Sequence, residues 1–233
     1  MKKSTMSLIF ISVMALSNGV FAQGTSGKNS QSFKVGSVPI LFPSPSAGLV
    51  EAGYENRERL EVLVPAQHRL ICAFLLENEL KNLEKGEANG MKEYALIEIL
   101  RKGEFLDVSP SDFNELVKAA GSDFGGMAGP TFKECEDEIN RRLKSMDESS
   151  IQLGTPVQLG TFFSKKDAHC LGMLMTMQQE SRTLTMAMSC SFLRVKQRVL
   201  FVYFYEQYED RDTIRRLGET TEKWVDEILK KNK

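Results

Sequence analysis

Between Arg198 and Glu206 the sequence reads RVLFVYFYE, apolar on both sides of a two-residue alternation. Val199, Phe201, Tyr203 and Tyr205 would line one face of a strand, with Leu200, Val202 and Phe204 on the other. A strand that is apolar on both faces must be covered on both, so this segment demands a sheet with one layer above it and one below. HRLICAFL (68–75) repeats the demand, with Leu70, Cys72 and Phe74 expected on one face and Ile71, Ala73 and Leu75 on the other. EYALIEIL (93–100) is a further apolar strand. The expected architecture is an α/β/α sandwich forming one domain over residues 33–232.

The remaining segments fit that frame. FKV-GS-VPILF reads as a hairpin with Gly36-Ser37 in a type II′ turn. Leu60, Leu63 and Val64 have helical spacing before Pro65, and ENELKNLEKG is a short helix closed by Gly86. In SPSDFNELVKAAG, Ser109 is the expected N-cap, Pro110 suits the first turn, and Asp112 completes a capping-box-like pattern. Gly121 is the expected end of that helix, followed by a glycine-rich connector over 122–129. Thr131 and Glu134 suggest another helix, with Phe132, Cys135, Ile139, Leu143 and Met146 on one face. From Pro156 the pattern turns to strands: PVQLGTFF, CLGMLMTM, TLTMAMSCSFLRV and RVLFVYFYE. A C-terminal helix closes the chain, its buried stripe being Ile214, Leu217, Thr221, Trp224, Val225, Ile228 and Leu229.

The N-terminus sets the expected compartment. Lys2 and Lys3 precede an apolar run from Met6 to Leu16, and Val20-Phe21-Ala22 stands before Gln23. That is the pattern of a secretory signal peptide over residues 1–22, with cleavage between Ala22 and Gln23. The run is too short to span a bilayer, and no transmembrane segment is expected in the mature chain. Residues 23–32 (QGTSGKNSQS) lack apolar periodicity and read as a flexible tether. The expected location is periplasmic or secreted. Formal net charge is −1, and Lys and Arg are interspersed with Asp and Glu rather than gathered in a stripe. That pattern argues against nucleic acid, or an anionic membrane, as the main partner.

Met173, Met175, Met177, Met186 and Met188 crowd the two strands around QQESR. Methionine thioethers can bind Cu(I), but methionine also fills irregular cores. Register decides between them. A loop at Gln179–Arg182 pairs Met177 with Leu184, Met175 with Met186 and Met173 with Met188, which puts all five on one face with Leu171, Cys190 and Phe192. Core packing is the expected role, with no metal or other cofactor; a Cu(I) or small-ligand site on this face is the alternative.

The same register separates Cys170 from Cys190 onto opposite faces, where their Cβ vectors diverge. Buried free thiols are expected for Cys72, Cys135, Cys170 and Cys190, the alternative being one disulfide that involves Cys135. His68 begins a strand, and a surface or half-buried role is expected for it. His169 and Cys170 are strand neighbours, so they face apart and cannot form a thiolate–imidazole pair. No G-x-S-x-G, H-E-x-x-H or calcium-loop pattern occurs, and no catalytic residue is singled out.

The stretch VKQRVLFVYFYEQYEDRDTIRRLGETTEKWVDEIL resembles the C-terminal end of PsbP/Mog1-like domains. The VPILFPSPSAG strand and the PAQHRLICAFL segment also resemble those of exported bacterial proteins. The resemblance implies an α+β fold with a mainly antiparallel sheet sandwiched between helices. It carries over no catalytic residue, and such domains are typically binding or assembly factors. A non-enzymatic accessory or interaction protein of the envelope is therefore expected, with another envelope protein as its partner. The alternatives are a small-ligand or Cu(I) binder and an enzyme without a recognisable motif.

Overall fold

The computed structural model describes residues 31–85, 91–124, 137–141, 151–154, 156–179 and 182–233. The chain runs β1 (Gln31–Val35), β2 (Val38–Phe42), β3 (Leu49–Glu51), α1 (Gly53–Leu60), β4 (His68–Leu76), α2 (Glu77–Lys85), β5 (Glu93–Leu100) and α3 (Pro110–Phe124). A helical stretch α4 (137–141) follows. Then come β6 (Ile151–Leu153), β7 (Val157–Lys165), β8 (Ala168–Gln179), β9 (Arg182–Val195), β10 (Arg198–Gln207) and α5 (Arg211–Lys231). The signal-peptide and cleavage expectations at Ala22 and Gln23 fall outside the described residues. Gln31 and Ser32, expected in the tether, lie in β1 and pair with Phe42 and Leu41.

The fold is α+β. One large sheet has the order β3-β4-β5-β10-β9-β8-β6, with β7 also on β8, and its strand pairs among the described residues are antiparallel. β1 and β2 form a separate hairpin. Gly36 takes φ +60° at its turn while Ser37 does not go positive, as a type II′ turn requires.

β10 lies mid-sheet and is covered on both sides, as its sequence demands. Leu200, Val202 and Phe204 face α5 and the β1–β2 hairpin, in a core with Leu217, Trp224, Val225, Ile228, Ile40 and Phe42. Asp210 caps α5 through a reciprocal capping box with Thr213. Trp224 meets Phe74 and Phe204 edge-on and donates its indole N–H to the Pro43 carbonyl at 2.8 Å. The Phe162 ring is held between β8 and α5, where both backbones are glycine. A Cβ on Gly172 would stand 2.1 Å from the ring, and one on Gly218 would meet it at 3.4 Å.

The opposite face carries two separate clusters. Leu60 of α1 and Leu80 and Leu83 of α2 pack on Leu70, Ala73, Leu75 and Leu96. Phe113, Leu116 and Val117 of α3 pack on Leu171, Met173, Met188, Cys190 and Phe192. Tyr203 and Tyr205 of β10 touch both clusters. Ser109 and Asp112 cap α3 as expected, the Asp112 N–H donating to the Ser109 hydroxyl at 3.2 Å. Gly121 does not end the helix, which continues to Phe124. A glycine inside a helix costs only about 1 kcal/mol against alanine, so it weakens the helix without breaking it. Of the expected helix around Cys135, only 137–141 is described; there Ile139 is buried and Asn140 pairs both ways with the Leu153 backbone.

One expectation fails at β4. Leu70 pairs with Glu98 and Cys72 with Ile97, leaving Ile71 as an extra residue in a bulge. The bulge resets the alternation. Leu70 therefore lies with Ala73 and Leu75 under α1 and α2, while Ile71, Cys72 and Phe74 face α5.

Candidate functional site

The methionine hairpin has the register read from its sequence. Met177 pairs with Leu184, Met175 with Met186 and Met173 with Met188. Met173, Met175, Met186 and Met188 are buried and Met177 is half-buried. Met173 and Met188 lie beneath α3 with Phe113, and Met186 lies in the cluster under α1 and α2. Packed beneath helices on one face of the sheet, Met173, Met186 and Met188 have the surroundings of a core.

Cys170 faces α5 and Cys190 faces α3, so the hairpin separates them. Cys72, Cys170 and Cys190 are buried free thiols. Burial pushes all three thiols up in pKa, Cys170 to about 12, which keeps them protonated and poorly nucleophilic. Cys135 falls outside the described residues. His169 pairs across the hairpin with Phe192, on the face opposite Cys170, and burial lowers its pKa.

His68 is not at the surface. It is 9% exposed, and its Nδ1 stands 2.8 Å from Oε2 of Glu98, itself 2% exposed. The Phe201 ring lies 4.8 Å from the imidazole, centre to centre. The bulge at Ile71 is the cause, because it moves the start of β4 onto the face where Glu98 points. Burial raises the Glu98 pKa, and the His68 contact opposes that rise. Each polar group serves as the other's partner, a structural use for both. Among the described residues, no three His, Cys, Asp or Glu side chains converge as a metal site.

The groups turned outward lie elsewhere. After β5 the chain makes a tight turn and runs through Gly103-Glu-Phe-Leu-Asp-Val108, where Phe105 is 72% and Leu106 59% exposed. This loop is tied down by three arginines. Arg69 forks onto the Glu104 carboxylate, which also accepts from the Gly36 N–H at 3.0 Å. Arg198, nearly buried, donates to the Leu106 carbonyl at 2.9 Å and pairs with Asp107. Arg194 reaches the Val108 carbonyl at 3.3 Å while holding Asp167. The Val108 N–H donates to the Gln197 carbonyl at 2.8 Å.

Gly36 closes the arrangement. Its φ is +60°, and a Cβ there would sit 2.7 Å from the Glu104 carbonyl oxygen. The loop cannot fold Phe105 and Leu106 inward without breaking these ties, so both are presented to solvent by design of the backbone. The loop leaves little trace in the sequence. Its only local signal is a pair of large apolar residues outside any periodic stripe; the clamping arginines come from distant strands.

No family model matches the chain, and no curated protein matches it. Among solved structures, a mutant of the protein Mog1 is similar at 8% identity with a TM-score of 0.36, covering 87% of this chain and 94% of that one. The fold description therefore rests on the strand pairing itself. No helix among the described residues is long and apolar enough to cross a membrane.

Proposed function

We propose that this chain is an exported, non-enzymatic accessory or interaction protein of the cell envelope, working alongside another envelope protein. The observation that carries this reading is the clamped loop. Two large apolar side chains are held out in solvent by Arg69, Arg194 and Arg198, so the ordering cost of a docking contact is met before any partner arrives. The groups that could perform nucleophilic or acid–base chemistry support the same reading from the other side. The described cysteines are buried thiols, and His68 and Glu98 satisfy one another.

Two measurements test it. N-terminal sequencing of exported material is expected to begin at Gln23, and an intact N-terminus in the cytoplasmic fraction would count against export. A photo-crosslinking amino acid in place of Phe105, with capture of the tagged chain from its native envelope, is expected to give an adduct. The same group in place of Arg211, exposed at the start of α5 where β10 has run to the opposite end of the sheet, should give none. Equal adducts from both positions would remove the loop as the docking element.

A further inference from the structure

The geometry points to an anionic lipid surface as what Phe105 and Leu106 dock against. This rests on the interaction role just proposed and names the partner of that loop.

The fold gathers at one end of the sheet what the sequence scatters. β4 and β10 start there and β5 and β9 end there, since His68 pairs with Leu100 and Arg198 with Val195. β7 and β8 turn there as well, Lys165 pairing with Ala168. The β1–β2 turn joins them through Gly36 and Glu104. Around the Phe105–Leu106 tip this end exposes Lys34, Lys102, Lys166 and Lys196, each from a different turn or strand end. None of the four pairs with a carboxylate among the described residues; Lys196 donates to the Pro39 carbonyl.

The carboxylates of the same end are already engaged. Glu104 is held by Arg69, Asp107 by Arg198, Asp167 by Arg194 and Glu61 by Arg101, while Lys165 holds Glu222 and Asp226 and the Asp112 carboxylate accepts from the Ser109 N–H and hydroxyl. The free charge here is therefore positive, in a chain that is near neutral as a whole. Leu100, 37% exposed, lies beside the tip and extends its apolar area.

The kind of cation decides between partners. Arginine forks suit the fixed carboxylates of a protein surface, and here all four are turned inward onto this chain's own loops. What remains outside are lysines, compact point charges on flexible stems, at the same end of the sheet as an exposed apolar tip. That combination suits a fluid array of lipid phosphates: the aromatic and aliphatic side chains enter the interface, and the lysines reach the headgroups. Neither part suffices alone, because stable peripheral attachment needs an apolar and an electrostatic contribution together.

The test is co-sedimentation of the full mature chain with vesicles. One set is phosphatidylcholine alone, the other equal parts phosphatidylcholine and phosphatidylglycerol. The wild type is expected to bind the anionic set at least about tenfold more tightly, and to be released by salt. Phe105→Ser with Leu106→Ser should lose binding while keeping the melting temperature, since both residues are exposed. Substituting Lys34, Lys102, Lys166 and Lys196 by Gln should remove the preference for the anionic set. The assignment is overturned if the wild type ignores anionic vesicles, binds both sets equally, or if either variant binds as the wild type does. Should vesicles fail while the Phe105 crosslinker still captures an acidic protein, the lipid assignment falls and the interaction role stands. Should neither vesicle nor envelope adduct appear, both fall.

Discussion

His68 and Glu98 meet inside the sheet only because β4 carries one residue more than its partner: Ile71 bulges, and the imidazole arrives 2.8 Å from the carboxylate. With both groups nearly inaccessible, each is the other's replacement for water. Removing one should therefore cost more than removing both. Glu98→Ala or His68→Ala is expected to destabilise by about 3–5 kcal/mol, and Glu98→Met with His68→Leu by less than either. Urea melts of the three variants measure this; a double variant weaker than both singles would mean that the pair contributes net stability.

The methionine face makes opposite predictions for its two roles. As core residues, Met173, Met175, Met186 and Met188 should each tolerate leucine for less than about 1.5 kcal/mol, because volume is nearly conserved. Met188→Asp would bury an unpaired charge and should abolish cooperative folding. As Cu(I) ligands, the leucine set would lose metal binding with the fold intact. Thermal melts alongside a Cu(I) competition titration are expected to show stability nearly unchanged and no tight wild-type binding to lose.

Phe162 sits where Gly172 and Gly218 leave room for its ring, with a Cβ at Gly172 falling 2.1 Å from it. Gly172→Ala is expected to destabilise by about 1–3 kcal/mol through overpacking. The same change in a Phe162→Leu background should cost measurably less, since the obstructing ring edge is gone. A double-mutant cycle by chemical denaturation reads the coupling directly.

Trp224 closes the opposite core against Phe74 and Phe204. Trp224→Ala should cost about 3–5 kcal/mol, as for other large aromatic truncations. Trp224→Phe keeps much of the packing but loses the indole donor to Pro43, adding a hydrogen-bond loss of about 0.5–1.5 kcal/mol. Calorimetric melting separates the two effects.

Glu104 predicts the acid limb of stability. Burial pushes its pKa up, but the Arg69 hydrogen bond, the Gly36 N–H and the Arg69 and Arg101 charges outweigh this and hold it below its ordinary value. A carboxyl lowered on folding stabilises above its unfolded pKa, about 4.3, and that stabilisation is lost as pH falls through the folded value. The difference in melting temperature between wild type and Glu104→Gln should thus be constant near neutrality and shrink on acidification below about pH 4.3. Arg69→Ala should shrink it likewise.

What was legible in the sequence was local. Two-residue alternation placed Leu200, Val202 and Phe204 opposite Phe201, Tyr203 and Tyr205, and the short QQESR loop left one apolar register for the methionine strands. Both follow from period and turn length, which are properties of neighbouring residues. The loop at Phe105 and the His68–Glu98 pair were not legible. A bulge at Ile71 is an agreement between two strands about which residue to leave unpaired, and alternation within one strand carries no record of it. The interspersed charges hid their distribution in the same way. Lys34, Lys102, Lys166 and Lys196 are far apart along the chain, and only strand order brings their turns to one end of the sheet. Local sequence determined which residues would be buried and on which side of most strands. Tertiary structure alone decided which polar groups would neutralise one another and which would be left facing out, because that depends on contacts between segments many residues apart.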